Sequence, residues 1–182
     1  MRVSIKVSTK FLYLLILIEL LPFTYGVTEL SFTSVHFRSS PRYLSNFTIE
    51  IINGTIYTDF DLIRRLVPGL RCRLEFQLRL ANAKSYQPLF HFDIDVCSTI
   101  VALKDHLLKS WYKSILKYGN FMENCPISTD HYYMKGWKLQ QALIPKYLYP
   151  GDYKIVAFFY FGQYKKLAMM FVLELELEAT VV

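Results

Sequence analysis

The chain has 182 residues, enough for one good hydrophobic core and too few for two. Its 21 basic against 15 acidic side chains give a net charge of +6, a mild surplus with no zinc-finger spacing or Arg-rich tract, which excludes a nucleic-acid reader. Aromatic residues reach 16%, a load of large rigid side chains that either fills a core or lines an apolar pocket.

At the start of the chain, Arg2, Lys6 and Lys10 precede the apolar run Phe11 to Leu21, and the small residues Thr24 and Gly26 follow it. This is the layout of a secretory signal peptide over residues 1–26. The apolar run, about 11 residues interrupted by Glu19, falls short of the roughly 20 that cross a bilayer. Its removal leaves residues 27–182 as a single domain of net charge +4. Every later apolar run is short and broken by charges at strand spacing. The expected product is therefore secreted and extracellular, with no transmembrane anchor in the mature chain and no nucleic-acid partner.

Residues 28–44 read as an irregular or edge strand. Phe47, Ile49 and Ile51 then alternate with Thr48, Glu50 and Ile52, Asn53-Gly54 offers a hairpin turn or a bulge, and Thr55 to Leu62 continues as strand. Asn46-Phe47-Thr48 and Asn53-Gly54-Thr55 are N-glycosylation sequons, placing candidate glycans on Asn46 and Asn53. After the Pro68-Gly69 turn, Cys72, Leu74, Phe76, Leu78 and Leu80 share one face of a strand whose other face is Arg71, Arg73, Glu75, Gln77 and Arg79. Ala81 to Pro88 is the loop of a long hairpin, and the return strand puts Phe90, Phe92, Ile94 and Val96 inward.

The mature chain keeps Cys72, Cys97 and Cys125, so an oxidising compartment gives one bridge, one free thiol and three alternative pairings. Strand phase turns Cys72 inward, as a buried free thiol, and Cys97 to the opposite face, which disfavours a direct bridge between them. The favoured pair is Cys97 with Cys125, closing a loop of roughly 29 residues for about 3 to 4 kcal/mol in the loop-entropy account.

Beyond Cys97 the period changes. Ser98 or Thr99 can cap a helix in which Ile100, Leu103, Leu107, Trp111, Ile115 and Tyr118 recur on one side, with Gly119 as the stop. One amphipathic helix is expected at about 99–118, its lysines Lys109, Lys113 and Lys117 on a solvated face. HYYMKGW resumes extended structure, Pro150-Gly151-Asp152 is a turn, and Tyr153 to Phe161 is a strongly aromatic strand. The last strand is expected from Lys166 to Glu178, with Leu167, Met169, Phe171, Leu173, Leu175 and Leu177 on one side. Hairpins with one apolar face bury it most economically against a second sheet, so the fold class is mainly β, a β-sandwich.

Motifs of covalent chemistry are missing. There is no P-loop, dinucleotide-binding glycine turn, HExxH, GxSxG or CxxC, and His36, His91, His106 and His131 lack metal-ligand spacing. His91, Asp93 and Asp95 share the polar phase of one strand, where alternation alone puts solvated residues. The expectation is no enzyme activity, no cofactor and no metal. If the sheets splay apart, Phe76, Leu78, Phe90, Phe92, Ile94, Trp111, Phe158 and Phe171 become candidates for the wall of an apolar ligand pocket. Otherwise the same side chains fill a solid core.

The segments FDIDVCSTI, WYKSILKYGNFMENCPI, HYYMKG and LIPKYLYPGDYKIVAFFYF resemble the DUF1091 family of insect proteins, related to the MD-2-related lipid-recognition proteins and including the CheB-like chemosensory proteins of flies. The resemblance covers roughly residues 45 to 173. It implies a secreted, immunoglobulin-like sandwich with a ligand pocket between its sheets, and it implies the Cys97 to Cys125 bridge as well. On this reading the protein binds a small hydrophobic ligand, a lipid or a cuticular-hydrocarbon or pheromone-like molecule, with contact chemosensation as the expected setting and a cell-surface receptor or channel as a further partner. The alternative is an extracellular protein–protein interaction domain with a solid core and no ligand.

Overall fold

A computed structural model describes residues 29–80, 83–104, 109–120, 123–140 and 148–182, and among them are eight strands and two short helical segments. The signal-peptide reading of residues 1–26 lies outside the described residues. In chain order the elements are β1 (Leu30–Ser39), β2 (Leu44–Ile52), β3 (Thr55–Leu62), β4 (Leu70–Arg79), β5 (Gln87–Asp95), α1 (Val96–Leu103), α2 (Lys109–Leu116), β6 (Asp130–Trp137), β7 (Gly151–Phe161) and β8 (Met170–Val181). They form a five-stranded sheet, β1-β8-β7-β4-β5, and a three-stranded sheet, β2-β3-β6. Every strand pair is antiparallel, and the inner faces pack as a β-sandwich.

Two buried clusters join the sheets. The first gathers Leu44, Phe60, Leu62, Leu70, Cys72, Phe161 and Val172, with Val96 and Ile100 of α1 and Ile127. Phe32, Ile56, Trp137 and Ala179 form the second. The β2–β3 hairpin turns on Asn53 and Gly54, both at positive φ (51° and 71°), a conformation in which these two residue types are at ease.

Three boundaries differ from the sequence expectation. The helix expected at about 99–118 is seen over Val96–Leu103 and Lys109–Leu116, with 105–108 outside the described residues, and it begins at Val96 because the Asp95 carboxylate accepts from the Ser98 N–H at 2.8 Å and caps it. Gly151 and Asp152 belong to β7 rather than to a turn, since the Asp152 carboxylate is held by Arg79 at 2.9 Å and by the Thr180 hydroxyl at 2.9 Å across the neighbouring strands. The last strand starts at Met170; Lys166 and Met169 lie in a loop closed by Lys166 N–H to Gln163 O and Met169 N–H to Lys166 O.

Candidate functional site

The register of the large sheet decides which side chains look toward the small one. Across β4 and β7, Cys72 stands opposite Phe159, Leu74 opposite Ala157 and Phe76 opposite Ile155. Across β7 and β8, Phe159 faces Leu173, Ala157 faces Leu175 and Ile155 faces Leu177. These rows carry the inner face, because Cys72 is buried and Leu74, Ala157, Phe159 and Leu173 pack against the first cluster, while Leu177 packs against the second. On the same face stand Phe76, Leu78, Ile155 and Leu175, partly buried side chains that, among the described residues, belong to neither cluster.

β5 continues this apolar face to the edge of the sheet. Phe90 pairs with Phe76 and Phe92 with Leu74, and the rings of Phe76 and Phe90 lie 4.8 Å apart, those of Phe90 and Phe92 5.4 Å. Yet Phe90 and Phe92 are 51% and 52% exposed. This corrects the expectation that they are buried inside: their phase is inward, but β5 is the edge of a five-stranded sheet facing one of only three strands. Ile94, next along β5, packs against the first cluster. An open cleft of about 550 Å³ lies between β5 and α1, lined by Phe92, Ile94, Ala102 and Leu103 together with the polar Asp93, Asp95, Ser98 and Thr99.

Of the other candidate pocket residues, Phe158 and Phe171 lie on the wrong face. Phe158 pairs with Arg73 and Glu174 on the outer side, where its ring meets those of Tyr160, Tyr164 and Phe171 at 5.4 to 5.9 Å. Phe171 is carried outward by an irregularity in which Phe159 pairs with Leu173 but Tyr160 with Phe171, leaving Val172 unpaired. Trp111 belongs to α2, and its side chain is outside the described residues. Ile155, Ala157 and Leu175 were absent from the sequence-based set. The usable signal for them was Lys154, whose outward charge fixes the phase of an otherwise apolar strand.

Within the large sheet, the charged side chains stand on the outer face. Arg73 pairs with Glu75 at 2.8 Å and Asp93 at 3.3 Å, Arg38 with Glu174 at 2.9 Å, and Lys154 with Glu176 and Glu178. His91 and Asp93 thus stand on a wet face, and Asp95 caps α1. The strip on the inner face is apolar throughout, a lining that offers a ligand burial and no charge to neutralise.

Cys97 in the first turn of α1 is bonded to Cys125, with α-carbons 5.4 Å apart. Cys72 is a buried free thiol, and desolvation pushes its pKa up to about 12, the reverse of what a nucleophile needs. On the outer face of the small sheet, the His131 ring reaches Asp61 at 2.9 Å through Nδ1 and Asp59 at 3.4 Å through Nε2. The amide of Asn46 donates to Asp61 at 2.8 Å, whereas Asn53 stands exposed at the tip of the β2–β3 hairpin. Among the described residues no group of three or more His, Cys, Asp or Glu is placed to hold a metal ion, and no helix is long and apolar enough to cross a membrane.

Residues 72–155 match the model of a family described as protein of unknown function, DUF1091. No curated protein matches the chain.

Proposed function

We propose, for a chain that belongs to the DUF1091 family over residues 72–155, that it is a secreted carrier of a small hydrophobic molecule held against the inner face of the large sheet. The observation that supports this reading is the strip formed by Phe76, Leu78, Ile155 and Leu175: inward, apolar, partly solvent-accessible and outside both buried clusters. Apolar side chains left partly open to water forfeit burial and packing contacts. A lipid or hydrocarbon chain entering past Phe90 and Phe92 covers them, each Å² removed from water contributing about 25 cal/mol. Lipid, cuticular-hydrocarbon or pheromone-like ligands have the required chemistry, and delivery to a cell-surface receptor or channel in chemosensation is a role consistent with such cargo. No bond is made or broken.

The test is a titration of the secreted protein with a fluorescent fatty acid, followed by displacement with unlabelled lipids and long-chain hydrocarbons. Saturable binding that Phe76→Ala weakens by about tenfold, roughly the loss of one ring's contact with an apolar ligand, supports the strip as the site. Phe158→Ala, on the outer face, leaves the affinity unchanged. Absence of saturable binding across these classes overturns the proposal in favour of an extracellular protein-interaction domain.

A further inference from the structure

Three loops meet at the end of the sandwich sealed by the first cluster. They are the β1–β2 turn (40–43), the β3–β4 connection (63–69) and the β7–β8 loop (162–169). Hydrogen bonds from Ser40 N–H to Val172 O and from Ile63 N–H to Tyr43 O tie them together. So do the stacked rings of Tyr43 and Phe161 at 5.8 Å and the Arg64 guanidinium 5.7 Å from the Tyr43 ring.

Their composition is lopsided. They hold Arg42, Arg64, Arg65, Lys165 and Lys166, five of the chain's 21 basic residues, and none of its 15 acidic ones. All five are exposed. Of the carboxylates bordering this end, Asp61 is engaged by His131 and Asn46, Asp95 by the α1 N-cap, and Asp130 accepts from the His131 N–H.

Large apolar side chains stand among these charges. Leu167 is fully exposed, and Ile63, Val67 and Met170 are about half exposed (52%, 47% and 50%). The β7–β8 loop is a built turn, held by Lys166 N–H to Gln163 O and Met169 N–H to Lys166 O. It pivots on Gly162, whose φ is +89° and where a β-carbon would stand only 2.9 Å from the Ala168 carbonyl oxygen. Leu167 is therefore displayed by the fold. The opposite end also exposes Ile52, Leu80 and Leu89, but there Arg79 is matched by Asp152.

We infer that this basic, apolar-tipped end docks on a lipid surface bearing acidic headgroups, Leu167 and its neighbours entering the interface while the five cations lie at headgroup level. Unopposed Lys and Arg are drawn to the negative potential of such a surface, and apolar side chains at the same level add burial that a charge-only contact lacks. The inference stands independently of the ligand strip.

Co-sedimentation of the intact secreted protein with equimolar phosphatidylcholine–phosphatidylserine vesicles, against pure phosphatidylcholine, tests it. Binding is expected only to the acidic vesicles and falls as salt rises. Arg64→Glu with Arg65→Glu, or Lys165→Glu with Lys166→Glu, weakens it by about tenfold or more. Leu167→Asp weakens it with the five cations intact. Lys109→Glu with Lys113→Glu, the same charge change on α2, leaves binding at the wild-type level. All these positions are exposed, and circular dichroism confirms that each variant is folded. Equal binding to both vesicles, or equal loss from the α2 variant, overturns the inference. So does binding to polyglutamate without binding to acidic vesicles, which assigns the surface to an acidic protein instead.

Discussion

At Cys72 and His131 the sequence supplies titratable groups that the fold treats in opposite ways. Burial lifts the Cys72 thiol to about 12, so at neutral pH it is almost wholly protonated. Native protein is expected to resist alkylation by iodoacetamide and to gain one adduct per chain by mass spectrometry only after denaturation. His131 is exposed, and its pKa is raised chiefly by the hydrogen bond to Asp61, with Asp59 adding to the effect and Lys135 opposing it. That bond correspondingly lowers Asp61, with Asn46 contributing. A raised histidine contributes stability that is complete below its ordinary value of 6.5 and is lost as pH rises through the folded value. A lowered aspartate contributes stability that is present above its ordinary 3.8 and is lost as pH falls. The contact therefore stabilises the fold most between those limits. His131→Ala should remove a small decline in melting temperature on going from pH 6.5 toward alkaline values, as read by thermal unfolding across that range.

At the scale of elements, what was legible depended on whether charge broke the symmetry of a strand. β4 alternates arginine and apolar residues, so the inward set of Cys72, Leu74, Phe76 and Leu78 followed directly, and the structure keeps it. β7 reads GDYKIVAFFYF with Lys154 the only charge inside the apolar run; Phe158 was placed inward where the register puts it outward, beside Arg73. In β8 period-two reasoning placed Leu173, Leu175 and Leu177 correctly and failed at Phe171, because the extra residue Val172 shifts the phase by one. The bridge between Cys97 and Cys125 agrees with expectation for a different local reason: Cys97 sits in a helical turn instead of on the far face of a strand. It fastens α1 to the 123–128 segment, whose Ile127 is bridged to Leu66 and enters the first cluster. Cys125→Ala should cost about 2 to 4 kcal/mol in urea unfolding, as loop entropy is returned to the unfolded chain. Loss of Cys72, which crosslinks nothing, should cost less than half as much.

For the whole molecule, the unequal width of the two sheets matters more than any single residue, and it could not be read from periodicity. Each strand announces which face is apolar, but the cover over that face depends on how many strands the opposite sheet brings, and three against five leaves β5 at an open edge. Ala157 tests whether the strip inside that edge is space for a ligand or merely looser packing. It lies on the inner face of β7 where the strip meets the first cluster, flanked by Leu74 and Leu175, and is the smallest side chain in that row. In a filled core Ala157→Phe is overpacked and loses about 1 to 3 kcal/mol. In a strip left open for cargo, the new ring occupies the ligand's place, so the ligand-free protein keeps or gains stability while binding is lost. The two cases separate in paired thermal unfolding with and without excess fatty acid. Wild type should gain about 2.7 kcal/mol at a ligand concentration of 100 times Kd, and Ala157→Phe should gain almost nothing while melting no lower than ligand-free wild type.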